Sequence, residues 1–323
     1  MKVLYILGGS RTGSTIVDNV LNEVDGFFSG GEIRFLWERL LEGRLCGCRR
    51  PLEDCPIWSS VLKSAFAFPE DGRIDVGEIA DWQRESLRLV RTFEVLRAVD
   101  DRSRASRSLQ AFADVTQRLY HALFDVTGAR VVVDSSGRAS YAAMLGMLSD
   151  VEPYFLHLVR DPRAVAYSRQ RPKLNPDRPV PGYMAVSSPF NSAIYWLAWN
   201  LASEAVIRRQ DPRRRILLRY EDFAADPRGT IATILRLLDE AEQDLPFVDE
   251  KTVRLRGNHT VSGNPARYLH GIVPIREDDE WRSRMPMWQR ITVTVATLPG
   301  LVRYGYGLGG RSSRLREPRS TGW

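Results

Sequence analysis

The sequence predicts an α/β chain: an open, mostly parallel sheet flanked by helices, with a helical insertion between two of the strands. Three observations carry this expectation. Short continuous apolar runs recur along the chain, each ends in a glycine-rich or polar cluster, and most are followed by apolar residues at helical spacing. Strands alternating with helices pair in parallel, and helices on both faces of such a sheet leave its strands apolar throughout.

Val3 to Leu7 is the first such run, ended by Gly8-Gly9. From Ser14 onward, Ile16, Val17, Val20, Leu21 and Val24 keep helical spacing until Asp25-Gly26 stops them. Phe27-Phe28 begins a second strand, Ser29-Gly30-Gly31 forms its turn, and Glu32 to Leu41 reads as the next helix. Trp58 to Gly128 is expected to be mostly helical. One stripe runs through Ile79, Trp82, Leu89, Val90, Phe93 and Leu96, another through Leu109, Phe112, Val115, Leu119, Leu123 and Phe124. Two long helices here make 58–128 an insertion or cap, with simple crossover helices as the plainer alternative.

Strands resume at Val131 to Val133, Tyr154 to Val159 and Ile216 to Leu218. Their polar ends are Asp134-Ser135-Ser136, Arg160-Asp161-Pro162 and Arg219-Tyr220-Glu221-Asp222. Asp161-Pro162 and Asp226-Pro227 suit helix starts, the aspartate as cap and the proline at the first helical position. Arg254 to Met287 reads as loop. A single domain over 1–310 and a flexible basic tail over 311–323 complete the expected organisation.

Composition bounds the function classes. A chain that is 43% hydrophobic and 27% charged is neither disordered nor a disulfide-dense mini-domain. Four lysines leave 42 of the 46 basic residues as arginine, whose planar fork matches phosphate, sulfate and carboxylate oxygens. Of the net charge of +6, three units come from the tail, where Arg311, Arg314, Arg316 and Arg319 face only Glu317. The body is nearly balanced and lacks strands of interleaved basic and aromatic residues, which argues against a nucleic-acid partner. No run approaches the roughly 20 apolar residues of a bilayer span. Lys2 followed by five apolar residues is too short for a signal peptide. A cytoplasmic protein without a membrane span is expected.

The strongest local signal is Gly8-Gly9-Ser10-Arg11-Thr12-Gly13-Ser14-Thr15, between a strand and a helix, where backbone N–H groups and the helix dipole attract anions. Against the nucleoside-triphosphate loop G-x-x-x-x-G-K-[ST], Gly8, Gly13 and Thr15 fall in frame but Ser14 takes the lysine position. The cation is Arg11 instead. Loss of the lysine that reaches the β- and γ-phosphates weakens a kinase or triphosphatase reading, which stays as one alternative beside a basic nucleic-acid-binding protein.

Arg11-Thr12-Gly13-Ser14-Thr15 resembles the first motif of the sulfotransferases that use 3′-phosphoadenosine 5′-phosphosulfate, and Arg160 with Ser168 eight residues later resembles their second. Arg219-Tyr220-Glu221-Asp222-Phe223 is similar to a strand end of that family. His259 to Arg267 is similar to its late loop, and Cys46-Gly47-Cys48 with Cys55-Pro56-Ile57-Trp58 to a segment of its bacterial members. The likeness spans about residues 3 to 307 and implies an open parallel sheet of the P-loop nucleotide-binding type.

The resemblance also implies roles. Ser10, Thr12, Gly13, Ser14 and Thr15 would cradle the 5′-phosphosulfate, and Arg11 would neutralise the leaving oxygen. Arg160 and Ser168 would hold the 3′-phosphate, Tyr220 would contact adenine, and Arg267 would meet the 3′-phosphate. Glu32 would be the general base toward the hydroxyl of a small-molecule, glycan or lipid acceptor, with His157 as its rival. The product would be adenosine 3′,5′-bisphosphate, and no metal is expected. One departure is that Gly137 follows Asp134-Ser135-Ser136 where relatives often carry lysine, so Arg138 is a candidate replacement. Trp82, Trp196 and Trp199 are candidates for an apolar acceptor pocket.

Cys46, Cys48 and Cys55 are an odd number for a disulfide framework. As zinc ligands they lack a fourth partner nearby, and C-x-C is not the usual spacing. Structural or free thiols are the favoured reading.

Overall fold

The computed structural model describes residues 1–66, 75–178, 182–241 and 244–307, so the expected basic tail lies outside the described residues. Five strands form one sheet: β1 (Lys2–Leu7), β2 (Phe27–Gly31), β3 (Val131–Gly137), β4 (Glu152–Val159) and β5 (Arg215–Arg219). Their order is β2-β3-β1-β4-β5, and every pairing is parallel. The expected open parallel sheet is therefore present.

Alternate residues of β1 serve opposite faces. Val3, Tyr5 and Leu7 join the core beneath α2 (Leu36–Leu41), α3 (Pro56–Phe66), α4 (Val76–Ser86), α5 (Thr92–Asp100), α6 (Arg107–Thr127) and α7 (Ala139–Met144). Leu4 and Ile6 join the core beneath α1 (Ser14–Leu21), α10 (Tyr220–Ala225) and α11 (Pro227–Leu237). Burial on both faces is why the strands read as unbroken apolar runs. Helices α8 (Pro162–Gln170), α9 (Pro189–Ile207) and α13 (Met287–Arg303) pack together beyond β4, with α12 (Trp281–Arg284) against α8.

The chain leaves β1 toward β2 and leaves β4 toward β5, so connections diverge between these neighbouring strands. Such a switch point opens a crevice at the strands' carboxyl ends. Two indoles of α9 fasten its rim: Trp196 donates Nε1–H to Arg160 O (2.9 Å) and Trp199 to Gly137 O (2.8 Å).

Three expectations need correction. Ser29-Gly30-Gly31 continues β2 rather than forming its turn. The stripe from Ile79 to Leu96 is not one helix, because α4 ends at Ser86 and α5 starts at Thr92. The Leu87 carbonyl accepts from Arg138 Nη1 (3.0 Å) and Ser140 Oγ (2.9 Å), a tertiary diversion that no local breaker announces. The expected loop after Arg254 contains a two-stranded antiparallel ribbon, β6 (Thr252–Leu255) with β7 (Gly271–Pro274), and the helix α12. The ribbon's strands lie too far apart in sequence for a hairpin signal. Among the described residues, no helix is long and apolar enough to cross a membrane.

Candidate active site

The loop after β1 turns through two left-handed residues, Arg11 at φ 70° and Gly13 at φ 94°. Thr12 is buried and donates Oγ1–H to Gly9 O (2.9 Å), which braces the loop from within. Helix α1 starts at Ser14 with no side-chain cap and no acid in its first turn. Its first N–H groups are left for an outside anion, and the helix dipole adds to their pull.

A cavity of about 490 Å³ opens here. Ser10, Arg11, Gly13, Ser14, Thr15, Glu32, Arg160, Ser168 and Tyr220 all line it. Residues from four strand ends and the α8 face thus line one cavity. Arg160 donates from Nη1 to Arg11 O (3.1 Å), bringing the ends of β1 and β4 together. Its guanidinium lies 4.8 Å from the Tyr220 ring centre, and Nη2 stands 3.3 Å from an Asp278 carboxylate oxygen.

The cavity is crowded with cations. Half-buried Arg11 is held below the ordinary arginine range by burial first, then by Arg169, Arg171 and Arg160. Its Nη1 is buried without a hydrogen-bond partner among the described residues. Lys173 is pushed down likewise, by burial and then by Arg11 and Arg171. Arg169 donates to Ser10 Oγ and stacks 4.3 Å from the Tyr195 ring centre. Acids answer this crowd only in part: Asp278 pairs with Arg160 and Arg171 (3.3 Å each), and Glu280 with Arg171 (2.6 Å). An unneutralised basic cavity over an uncapped helix start suits a ligand with several negative charges.

Glu32 sits at the other end, just after β2. Its N–H donates to Ser262 O (3.3 Å), and its carboxylate makes no hydrogen bond among the described residues. Burial pushes this carboxyl above the ordinary range, while Arg34, Arg39 and Arg267 pull it down. A partly shielded carboxylate with unused oxygens beside cations can accept a proton from a bound hydroxyl. Arg34 is anchored by donation from its N–H to Ser136 Oγ (3.0 Å) and from Nε to Ser136 O (3.1 Å).

The late loop closes the wall between Glu32 and the anion loop. Val261 N–H donates to Gly30 O (2.9 Å), Asn264 N–H to Thr15 Oγ1 (3.4 Å), and Asn19 Nδ2 to Ala266 O (2.9 Å). Ser262, Gly263 and Asn264 therefore line the cavity.

Six candidate residues lie elsewhere. Arg267 is buried, with its guanidinium donating to Thr260 O, Leu45 O (2.7 Å each) and Tyr268 Oη (2.6 Å), and it does not line the cavity. Thr12 faces into its own loop. His157 is buried in β4 against Asn200 Oδ1 (2.9 Å) and the Tyr304 ring, and burial pushes it down to about 4. Arg138 donates to Leu87 O and lines a neighbouring cavity rather than this one. Of the tryptophans, Trp199 lines the cavity, whereas Trp82 and Trp196 do not.

Arg34, Arg39, Lys173, Tyr195 and Asn264 also line the cavity and were not singled out from sequence. Arg34 stands two residues after Glu32, and Asn264 inside the late loop, so proximity to motif residues is the signal that could have found them. Tyr195 directly precedes the candidate Trp196 and lies four residues before Trp199, so it carries the same kind of signal.

The cysteines gain a partner from far along the chain. The ligand atoms of Cys46, Cys48, Cys55 and His259 all lie within 4.8 Å of one another. His259 is thus the fourth group that spacing around the cysteines does not reveal.

Comparison with known proteins supplies a family. The sequence model of the sulfotransferase family matches residues 4–244. Among solved structures, the chain is similar to the sulfotransferase domain from the curacin biosynthetic pathway, at 15% identity and TM-score 0.49 over 92% of this chain and 96% of that one. It is similar to the sulfotransferase domain of the Synechococcus PCC 7002 olefin synthase at 16% identity and TM-score 0.49, over 93% and 94% of the two chains. A sulfotransferase from Alicyclobacillus acidocaldarius matches at 15% identity and TM-score 0.43, over 93% and 92%. No curated protein sequence matches.

Proposed function

The chain belongs to the sulfotransferase family, and from that premise we propose that it moves a sulfuryl group from 3′-phosphoadenosine 5′-phosphosulfate to a hydroxyl of a small-molecule, glycan or lipid acceptor. The observation that carries this reading is the basic cavity over the uncapped start of α1. There Arg11, Arg160 and Lys173 meet without enough acids to neutralise them. A donor with phosphate at the 3′ position and phosphosulfate at the 5′ position supplies the missing charge at two separate points.

The roles follow from position. Ser10, Gly13, Ser14 and Thr15 cradle the 5′-phosphosulfate through N–H and hydroxyl donors. Arg160 and Ser168 take the 3′-phosphate, and the Tyr220 ring gives the adenine an apolar contact. The acceptor oxygen attacks sulfur in line with the bridging oxygen and its hydroxyl proton passes to Glu32. The bond between sulfur and the bridging oxygen breaks. Its electron pair stays on the phosphate of adenosine 3′,5′-bisphosphate, beside Arg11 and the loop N–H groups. Positioning and charge stabilisation do most of such a transfer, so no metal is required in the step. Trp199 and Phe35 line the cavity too and give an acceptor an apolar surface. An odd count of three cysteines suits a cytoplasmic site of action.

The test is a screen of phenols, sugars and glycolipids with donor labelled in the sulfuryl group. Label transferred to one class supports the reading and names the acceptor. In a parallel screen with ATP labelled in its γ-phosphate, transfer of that label instead replaces it with a kinase.

A further inference from the structure

Outside the cavity, the segment that follows α2 folds back as a tight turn. Cys46 N–H donates to Arg50 O and Arg49 N–H to Cys46 O (2.8 Å each), with Arg49 left-handed at φ 66°. This turn presents Cys46 and Cys48 together. Cys55 lies just ahead of α3 and stands with its Sγ 3.2 Å from His259 Nδ1. We propose that Cys46, Cys48, Cys55 and His259 bind one zinc ion, which ties the late loop to the turn after α2 and holds that wall of the cavity in place.

The donor set and its size both fit. Three thiolates and one imidazole form a closed tetrahedral zinc site. Bonds of about 2.3 Å to sulfur and 2.0–2.1 Å to nitrogen put ligand atoms roughly 3.5–3.8 Å apart. The four atoms here lie within 4.8 Å of one another and Cys55 Sγ stands 3.2 Å from His259 Nδ1, so small adjustments in both directions complete the shell. Thiolate ligands also select against magnesium and calcium, which take oxygen. Cys48 and His259 are partly exposed and give the ion a way in.

The scaffold is set independently of the ion. At Gly47 the two segments approach so closely that a Cβ would stand 1.9 Å from Asn258 Oδ1. Gly47 N–H donates to Thr260 O (2.9 Å), and Trp58 donates Nε1–H to the His259 carbonyl. A glycine between two ligand cysteines is thus required by the approach of the chain that carries the fourth ligand. On binding, three Zn–S bonds and one Zn–N bond form, the thiol protons leave to solvent, and nothing is oxidised or reduced. Four protein ligands leave no open position, so the ion is structural. Its effect reaches the cavity along the backbone, because Ser262, three residues beyond His259, accepts from Glu32 N–H.

The test uses the full chain purified without chelator and does not depend on sulfuryl transfer. Elemental analysis is expected to give about one zinc ion per chain. Exchange for Co²⁺ is expected to produce the thiolate charge-transfer and tetrahedral d–d bands. His259→Ala and Cys48→Ser are expected to lose the metal and to speed proteolysis between residues 256 and 268 by about tenfold. If those variants do not fold, the wild-type metal content and cobalt spectrum still decide. Less than roughly a tenth of an ion per folded chain and no cobalt bands would overturn the proposal. A Cys46–Cys55 disulfide found by mass spectrometry in the same preparation would do so equally.

Discussion

The Tyr220 ring packs across the Gly13 turn so closely that a Cβ on the glycine would stand 2.2 Å from ring atom Cδ2. The same ring carries the Arg160 guanidinium at 4.8 Å and fixes its hydroxyl on Arg276 O at 3.1 Å. One aromatic side chain from the end of β5 therefore spaces the anion loop from the arginine after β4. Gly13→Ala meets both this ring and a left-handed φ. It is expected to weaken binding of adenosine 3′,5′-bisphosphate at least about tenfold and to lower Tm by several degrees. Tyr220→Phe keeps the ring, so calorimetry is expected to find its affinity within about threefold of wild type.

Arg160 is held by Arg11 O and by Asp278. Arg160→Ala is expected to weaken bisphosphate binding about ten- to a hundredfold, the range of a lost charge-assisted contact. Arg160→Lys keeps the charge without the fork and should fall between. Asp278→Asn frees Arg160 and Arg171 from a competing carboxylate and should tighten the same ligand by about two- to fivefold. Unchanged affinity in Arg160→Ala would remove this residue from the donor site.

Glu32→Gln is expected to lower kcat by about 10²–10⁴ while bisphosphate affinity stays the same. A base must be ionised, and burial holds this carboxyl above the ordinary range. Activity should accordingly fall as pH drops through the raised value. Arg39 pulls that value down, so Arg39→Gln should move the acid limb of the kcat profile to higher pH. A limb that stays in place would detach it from Glu32.

Asp18 is buried in α1, and burial pushes its carboxyl up to about 8. Between its ordinary value near 4 and that raised value, the folded chain holds a proton that the unfolded chain has released. Its contribution to stability is thus lost as pH rises from about 4 to 8. Asp18→Asn removes the titration, so the variant's Tm relative to wild type should climb by several degrees across that window. A constant difference would show that Asp18 does not titrate there.

Much of the site was legible because its chemistry is local. The anion loop, Arg160 with Ser168, and Tyr220 each sit at a strand end within a short motif, and strand-to-helix turns of a parallel sheet converge by topology. What the sequence hid depends on distant contacts. His259 stands 204 residues beyond Cys55, so no spacing rule joins them. Arg267 occupies a motif position, but carbonyls of Thr260 and Leu45 consume its guanidinium. The break between α4 and α5 is likewise made by Arg138 and Ser140, from another part of the chain.

The proposed donor bears phosphate at both the 3′ and 5′ positions. Thermal denaturation with saturating adenosine 3′,5′-bisphosphate, beside ATP with magnesium, tests it most directly. The bisphosphate is expected to raise Tm by about 5 °C, with ATP and magnesium leaving it within about 1 °C. Stabilisation by ATP with magnesium and none by the bisphosphate would rule out this donor.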